Sequence, residues 1–148
     1  MTNILKSIEG RQLGISDVGS LVSNDIEISR PCVNAAITVG AEAANVRAIT
    51  IQLLDANGAD INYVEEVELV LFLTADRLAY VATGGSTGIA IGTDGALSTI
   101  VAKKVFRATS EADGDIDLTW TDTGTEAAYL GVKLPNGRYV MSDALTNA

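Results

Sequence analysis

The stretch that decides the fold is "EVELVLFLTAD", residues Glu66–Asp76. Its odd-numbered positions from Val67 to Leu73 are all apolar, which is typical of a β-strand with one face on a core. Its even-numbered positions begin with glutamates and end with Val70 and Phe72, so the second half is apolar on both faces. Such a strand needs cover on both sides, from a second layer or from another subunit. Val70 and Phe72 are therefore candidate contacts with another copy of the chain.

The segments around this strand also predict β-structure. Alternation is clear in "VRAITIQLLD" (46–55) and "DIDLTWTD" (115–122), while Asn57-Gly58 and "LPNGRYV" (134–140) are typical of tight turns. "LSTIVAKKVFRATS" (97–110) predicts one long strand, bulged near Lys103-Lys104 where its apolar set changes face. "TADRLAYVA" (74–82) fits either a helical turn or a linking strand. About seven strands at this spacing predict an all-β protein, an antiparallel β-sandwich of immunoglobulin-like or jelly-roll-like type, over residues 33–148.

Residues 1–32 predict a separate N-terminal arm or small hairpin module. Short apolar pairs are broken by glycines, and we expect strands at Gln12–Ile15 and Leu21–Val22. Four acids and three basic residues give this segment a net charge of −1 (3 − 4), whereas residues 33–148 carry −8 (7 − 15). Such an arm buries little by itself, so it packs either on its own body or on a partner.

The composition excludes several classes of function. The chain has no histidine, which removes Ser-His-Asp and Cys-His catalysis and nearly all zinc sites. Cys32 is the only cysteine, so no internal disulfide forms, and we expect it to be buried. The net charge of −9 argues against nucleic-acid binding. No apolar run reaches the ~18 residues of a membrane span, and no secretory signal is recognised, so we expect synthesis in a cytoplasm.

The acidic stretch "SEADGDIDLTW" (110–120) is the first candidate for chemistry. It fails as a calcium loop because its glycine, Gly114, lies inside the acidic triplet rather than at the sixth position. Asp115 and Asp117 lie on one strand face and could act as a hydrolase carboxylate pair, but the chain is poor in the aromatic residues that sugar clefts need. We predict instead a strand whose apolar residues point inward and whose aspartates point outward, with no catalytic residue, cofactor or metal.

Two further motifs have ordinary structural interpretations. "GGSTG" (84–88) lacks the lysine and helix of a phosphate loop and predicts a plain loop. Lys103 and Arg107 are expected on one strand face, where they could contact an acidic partner but more commonly balance carboxylates across the sheet.

Three long strings carry a resemblance to a known family. They are "AEAANVRAITIQLLDANGADI" (41–61), "GIAIGTDGAL" (88–97) and "SEADGDIDLTWTDTGTEAAYLGVKLPNGRYVMSDAL" (110–145). They resemble β-sandwich structural proteins of tailed bacteriophages and prophages, of the head decoration (cement) or head-fibre type. "GRQLGISDVGSLV" (10–22) is similar to the short N-terminal module that precedes such domains.

The resemblance implies a structural virion protein without enzymatic activity. Its expected place is the capsid surface, and its expected partners are the major capsid protein and itself, as a homodimer or homotrimer. The alternative is a fibre or tail-associated module that binds a receptor or carbohydrate. The expected capsid-anchoring residues are the apolar residues of the arm, namely Ile4, Leu5, Leu13, Ile15, Leu21 and Val22.

Overall fold

The computed structural model describes residues 31–148 and, before them, two short strands, β1 (Val22–Ser23) and β2 (Ile26–Glu27). The chain divides into two compact units, Met1–Pro31 and Cys32–Ala148. In the first unit, β1 and β2 pair antiparallel. Apart from Val22, the hairpin predicted over residues 12–22 lies outside the described residues.

The second unit is built of nine strands in two antiparallel sheets, and its described residues form no helix. The strands are β3 (Asn34–Val39), β4 (Val46–Leu54), β5 (Glu66–Phe72), β6 (Gly88–Ile91), β7 (Ala96–Val101), β8 (Val105–Thr109), β9 (Asp115–Thr121), β10 (Tyr129–Lys133) and β11 (Tyr139–Ala144). One sheet has the order β11-β10-β5-β8-β7 and the other has the order β3-β4-β9-β6. The predicted all-β sandwich is confirmed.

The core lies between the two sheets and follows the predicted alternation. In β9, Ile116, Leu118 and Trp120 are buried, while the residues between them are only partly covered. The same holds in β4, where the residues at positions 49, 51 and 53 are buried and Thr50 is exposed. Each large apolar side chain taken out of water stabilises the fold by roughly 1.5–3 kcal/mol, so the facing strands hold the sandwich together.

The second half of β5 is buried on both faces, as its sequence predicts. Residues 74–82, whose sequence fits either a helical turn or a linking strand, form a loop that returns to the end of β5. Leu73 N–H donates to the Ala79 carbonyl (2.8 Å), and Val81 N–H donates to the Leu71 carbonyl (3.2 Å). The loop brings Tyr80 opposite Phe72, and it therefore supplies cover to the outer face of this sheet.

The single long strand predicted over residues 97–110 is wrong. This segment is a hairpin of β7 and β8, which pair antiparallel. The chain reverses at Lys103, whose φ is 59°, and Lys104 N–H donates to the Val101 carbonyl at 3.0 Å. The change of apolar face at the two lysines therefore marks a turn, and the β-bulge lies earlier, between Thr99 and Val101.

The glycine turns form where the sequence places them. Gly137 has a φ of 83° and its N–H donates to the Leu134 carbonyl at 2.8 Å. Gly58 has a φ of 77°, but the return strand after it is short, because only Asp60 pairs with Leu54 before the chain crosses to the other sheet.

One side of the sandwich is closed by its edge strands and by the last residues of the chain. β3 lies alongside β11, although the two belong to different sheets. Asn147 is buried, and its amide donates to the carbonyls of Asn45 and Asp122, both at 2.8 Å. Its Oδ1 accepts from Nε of Arg47 at 3.1 Å. This network ties the last residues to the β3–β4 turn and to the loop after β9.

Candidate functional site

The acidic strand β9 carries its two aspartates on the outer face of the four-stranded sheet. The Thr50 hydroxyl donates to Oδ1 of Asp117 at 2.9 Å. Burial, together with the negative charges of Asp117, Asp94 and Asp113, raises the pKa of the Asp115 carboxyl. Oδ1 of Asp115 is buried and has no hydrogen-bond partner in the described part of the chain. The two aspartates sit on a sheet face rather than in a cleft.

An open depression of about 620 Å³ lies beside the turn that starts β9. Four of its seven lining residues are acidic, namely Asp60, Asp94, Glu111 and Asp113. Gly114, in this turn, has a φ of 83°, and a Cβ there would lie 2.6 Å from Cγ1 of Ile61. Within residues 31–148, no three carboxylate or thiol groups are arranged to hold a metal ion. The depression is thus an acidic, solvated surface.

The glycine-rich loop at residues 83–88 is a loop, as predicted, and it encloses a carboxylate. Oε1 of Glu126 accepts from the Thr83 N–H (2.8 Å). Oε2 accepts from the Thr83 hydroxyl (2.6 Å) and from the N–H groups of Gly84 (3.0 Å) and Gly85 (2.9 Å). A concave set of backbone N–H groups is the arrangement that binds anions in proteins. Here the anion is the chain's own Glu126.

The hydrogen bonds dominate the ionisation of Glu126. Burial by itself raises the pKa of this carboxyl, but the bonds from Thr83, Gly85 and Gly84 outweigh it and lower the pKa from 4.5 to about 2. Four donors to one carboxylate favour its charged form, which explains the direction of the shift. Glu126 therefore stays ionised down to strongly acidic pH.

Asp122 and Lys103 hold the rest of this loop. Asp122 is buried, and its Oδ1 accepts from the N–H groups of Ser86 (3.1 Å) and Gly124 (3.2 Å). On the carbonyl side, the Lys103 ammonium donates to Gly85 (3.2 Å) and Ser86 (2.7 Å). Carboxylates thus bind the loop's N–H groups and a cation binds its carbonyls. Lys103 does not share a strand face with Arg107, contrary to expectation, because it lies in the turn.

The outer face of the five-stranded sheet is charged at one end. Arg107 on β8 pairs with Glu66 at 3.1 Å, and Lys133 on β10 approaches Glu68 at 3.8 Å. These side chains are well exposed, so each pair contributes about 0–1 kcal/mol. Arg107 balances a carboxylate across the sheet, as predicted from the sequence.

The other end of this face carries an aromatic cluster, which we define as Phe72, Tyr80, Tyr139 and Arg77. Phe72 stacks on Tyr80 with ring centroids 5.7 Å apart, and meets Tyr139 edge-on at 5.8 Å. The Arg77 guanidinium lies 5.1 Å from the Tyr139 ring centre. Tyr80 is 59% exposed and the adjacent Leu78 is 82% exposed. An apolar surface of this kind is typical of a contact site.

The residues predicted to contact another copy, Val70 and Phe72, are buried within the chain at 3% and 7% exposure. Their contact with another copy stays a prediction. Leu78 and Tyr80, on the covering loop, would meet a partner first. Of the predicted anchoring residues, only Val22 lies within a described strand, β1. The other five, Ile4, Leu5, Leu13, Ile15 and Leu21, lie outside the described residues.

Sequence reasoning missed the carboxylates that hold the glycine-rich loop. Glu126 lies more than 40 residues from Thr83, so no local pattern joins them. The available signal was "DTGTE" (122–126), where an aspartate before a Thr-Gly turn commonly accepts local N–H groups. Cys32, by contrast, is buried as expected, and burial, followed by the charge of Glu65, raises the pKa of its thiol to about 11.

Comparisons with family models, curated proteins and solved structures gave no match to this chain. No helix within the described ranges is long and apolar enough to cross a membrane.

Proposed function

We propose that this chain is a non-catalytic structural virion protein of a tailed bacteriophage. It is made in the host cytoplasm and decorates and cements the capsid exterior by binding the major capsid protein. The observation that carries the proposal is the exposed apolar loop over the aromatic cluster, where Leu78 is 82% exposed. Leu78 and Tyr80 lie on the same loop over the outer sheet face, and apolar side chains exposed together in this way are typical of a partner contact. The resemblance of residues 41–145 to phage proteins supports the virion context.

The two units of the chain differ in charge, which suits different functions for them in this role. Residues 1–32 have a net charge of −1 and residues 33–148 have −8, counting three basic and four acidic residues against seven and fifteen. A nearly neutral arm suits burial between capsid subunits, whereas a strongly acidic body stays solvated and resists non-specific association. We therefore propose that the arm anchors and that the sandwich covers or bridges neighbouring subunits.

Two measurements test this function. Electron microscopy of purified particles should show the chain in many copies on the head. In a sedimentation assay with particles that lack the protein, Leu13→Ser and Ile15→Ser in the full chain should reduce binding. The matched control is Val64→Ser, at an exposed apolar residue of the sandwich. Unchanged binding by the arm variants would remove the anchoring role, and absence of the chain from the head would remove the proposed function.

A second candidate is a fibre or tail-associated module that binds a receptor or carbohydrate. It is favoured by one observation, the exposed ring of Tyr80, which stacks on Phe72 and offers an apolar aromatic face to a ligand. Under this alternative, Tyr80→Ala abolishes binding to host cells or glycans and leaves incorporation into particles unchanged. Under the decoration role, the same variant weakens capsid binding and no glycan is bound by either form.

A further inference from the structure

β7 is an exposed edge strand with unusual composition. Its sequence, ALSTIV, contains no charged residue and no proline, and only Leu97 is partly covered. Ile100 and Val101 are about half exposed. β7 pairs with β8 on one side, and it is the last strand of the five-stranded sheet on the other. Among the described residues its outer edge has no strand partner, so it presents backbone N–H and carbonyl groups together with apolar side chains, which is a template for strand addition.

The other sheet edges of the sandwich are protected. β3 and β11 lie alongside each other, so each covers the other. β6 has only four residues, begins at Gly88 and is followed by Gly92. β7 has one protective feature, the bulge between Thr99 and Val101. Natural proteins block long edges with charge, proline or cover, so an edge that lacks all three is expected to be used.

We propose that β7 pairs antiparallel with β7 of a second copy, forming a two-fold symmetric dimer with a continuous ten-stranded sheet. The ends of the strand are complementary in charge. In a register that places Leu97 of one copy opposite Val101 of the other, the two-fold axis passes Thr99 and Asp94 comes opposite Lys104 of the second copy. The Lys103 ammonium already binds the glycine-rich loop, which leaves Lys104 to meet Asp94.

This complementarity favours a second copy over an unrelated partner. Neither Asp94 nor Lys104 forms an ion pair among the described residues, so both are available. A two-fold axis at the centre of β7 produces the Asp94–Lys104 contact twice, because an isologous interface repeats each of its contacts. The dimer itself is argued from the structure of β7. Only its biological role rests on the proposed function, in which an oligomer bridges capsid subunits.

Sedimentation velocity of the full chain tests the dimer without any capsid. We expect a dimer at roughly 100 μM, a concentration that detects even weak interfaces. Ile100→Lys, which adds a charge to the edge, should give a monomer. Val64→Lys is the matched control, because it places the same charge on an exposed apolar residue outside β7 and should leave the dimer intact.

A charge exchange tests the register. Asp94→Lys alone and Lys104→Asp alone should each weaken the dimer about tenfold, since two like-charged contacts replace two attractive ones. The double variant should restore wild-type affinity. A monomeric wild type, a dimer that survives Ile100→Lys, or a double variant as weak as the single ones would overturn the proposal. Trp120 fluorescence verifies that each variant is folded, and capsid binding is measured separately, so either proposal can fail alone.

Discussion

Glu126→Gln is the sharpest test of how the glycine-rich loop is held. The amide has nearly the shape of the carboxylate but only one acceptor oxygen. If that oxygen takes the Oε2 position, it keeps the three donors there, and the new NH₂ group then faces the Thr83 N–H, which lay 2.8 Å from Oε1. The variant therefore loses one hydrogen bond, removes the charge from the acceptor of the other three, and gains a contact between two donors.

The expected cost is about 2 kcal/mol. A hydrogen bond to a charged group contributes roughly 1.5–3 kcal/mol. The pKa gives a second estimate, because a fall from 4.5 to about 2 corresponds to at most ~3 kcal/mol. Partial exposure of Glu126 to solvent reduces this to about 1–2 kcal/mol. The two estimates agree, and the loss is a sizeable part of a typical stability of about 5–15 kcal/mol.

Urea unfolding followed by Trp120 fluorescence measures this loss. Trp120 is the only tryptophan, it is fully buried, and a Cβ on Gly85 would lie 2.8 Å from its ring, so it reports on this loop. The midpoint should fall by roughly 1 M, given a slope of about 1–3 kcal/mol per M. Glu68→Gln, which removes one member of an exposed ion pair, is the control and should change stability by less than about 0.5 kcal/mol.

The pH dependence has a defined sign. The pKa of Glu126 is lower in the folded chain than its ordinary value of 4.5, so its contribution is complete above pH 4.5 and is lost as the pH falls towards 2. The stability difference between wild type and Glu126→Gln should therefore be constant near neutral pH and shrink below pH 4.5. Equal stability at pH 7, or a difference that grows on acidification, would refute the role assigned to this carboxylate.

Three further substitutions test the packing. Gly131→Ala should lower the melting temperature by about 3–10 °C in calorimetry, since its Cβ would lie 2.7 Å from Phe72 Cε2 and overpacking costs roughly 1–3 kcal/mol. Trp120→Phe should lower the free energy of unfolding by less than the ~3–5 kcal/mol typical of a Trp→Ala change. The loss is smaller because the variant also removes a buried N–H that lacks a partner among the described residues. Urea unfolding followed by circular dichroism measures it. Asn147→Ala should lower the free energy of unfolding by about 2–3 kcal/mol in the same assay, because the side chain of Asn147 forms three hydrogen bonds. Thr146→Ala is the control and should leave stability nearly unchanged.

The sandwich could be predicted from the sequence because its signal is local. In β9 the side chains alternate strictly between the core and the outside, and this period alone places Ile116 and Trp120 inward. The doubly apolar end of β5 likewise predicted cover on both faces. These features depend on the direction of successive side chains along one strand, which the chain's own geometry fixes.

The β7–β8 turn could not be predicted, because it carries none of the usual turn residues. Lys103 adopts a positive φ there, which is uncommon for a residue with a side chain. Its ammonium binds the carbonyls of Gly85 and Ser86, so contacts with a distant loop accompany the local conformation. The sequence around the two lysines shows only that the apolar pattern changes face, which a bulge and a reversal explain equally well.

Strand order also lies beyond local patterns, and it decides which surfaces are left for partners. Six of the seven basic residues of Cys32–Ala148 belong to the five-stranded sheet and its loops, namely Arg77, Lys103, Lys104, Arg107, Lys133 and Arg138. The four-stranded sheet instead carries Asp115 and Asp117 beside the acidic depression. Two acidic faces repel each other, so close association favours the five-stranded sheet. That sheet carries both the exposed loop over the aromatic cluster and the open edge of β7, and we therefore expect its variants, rather than aspartate substitutions on β9, to alter assembly.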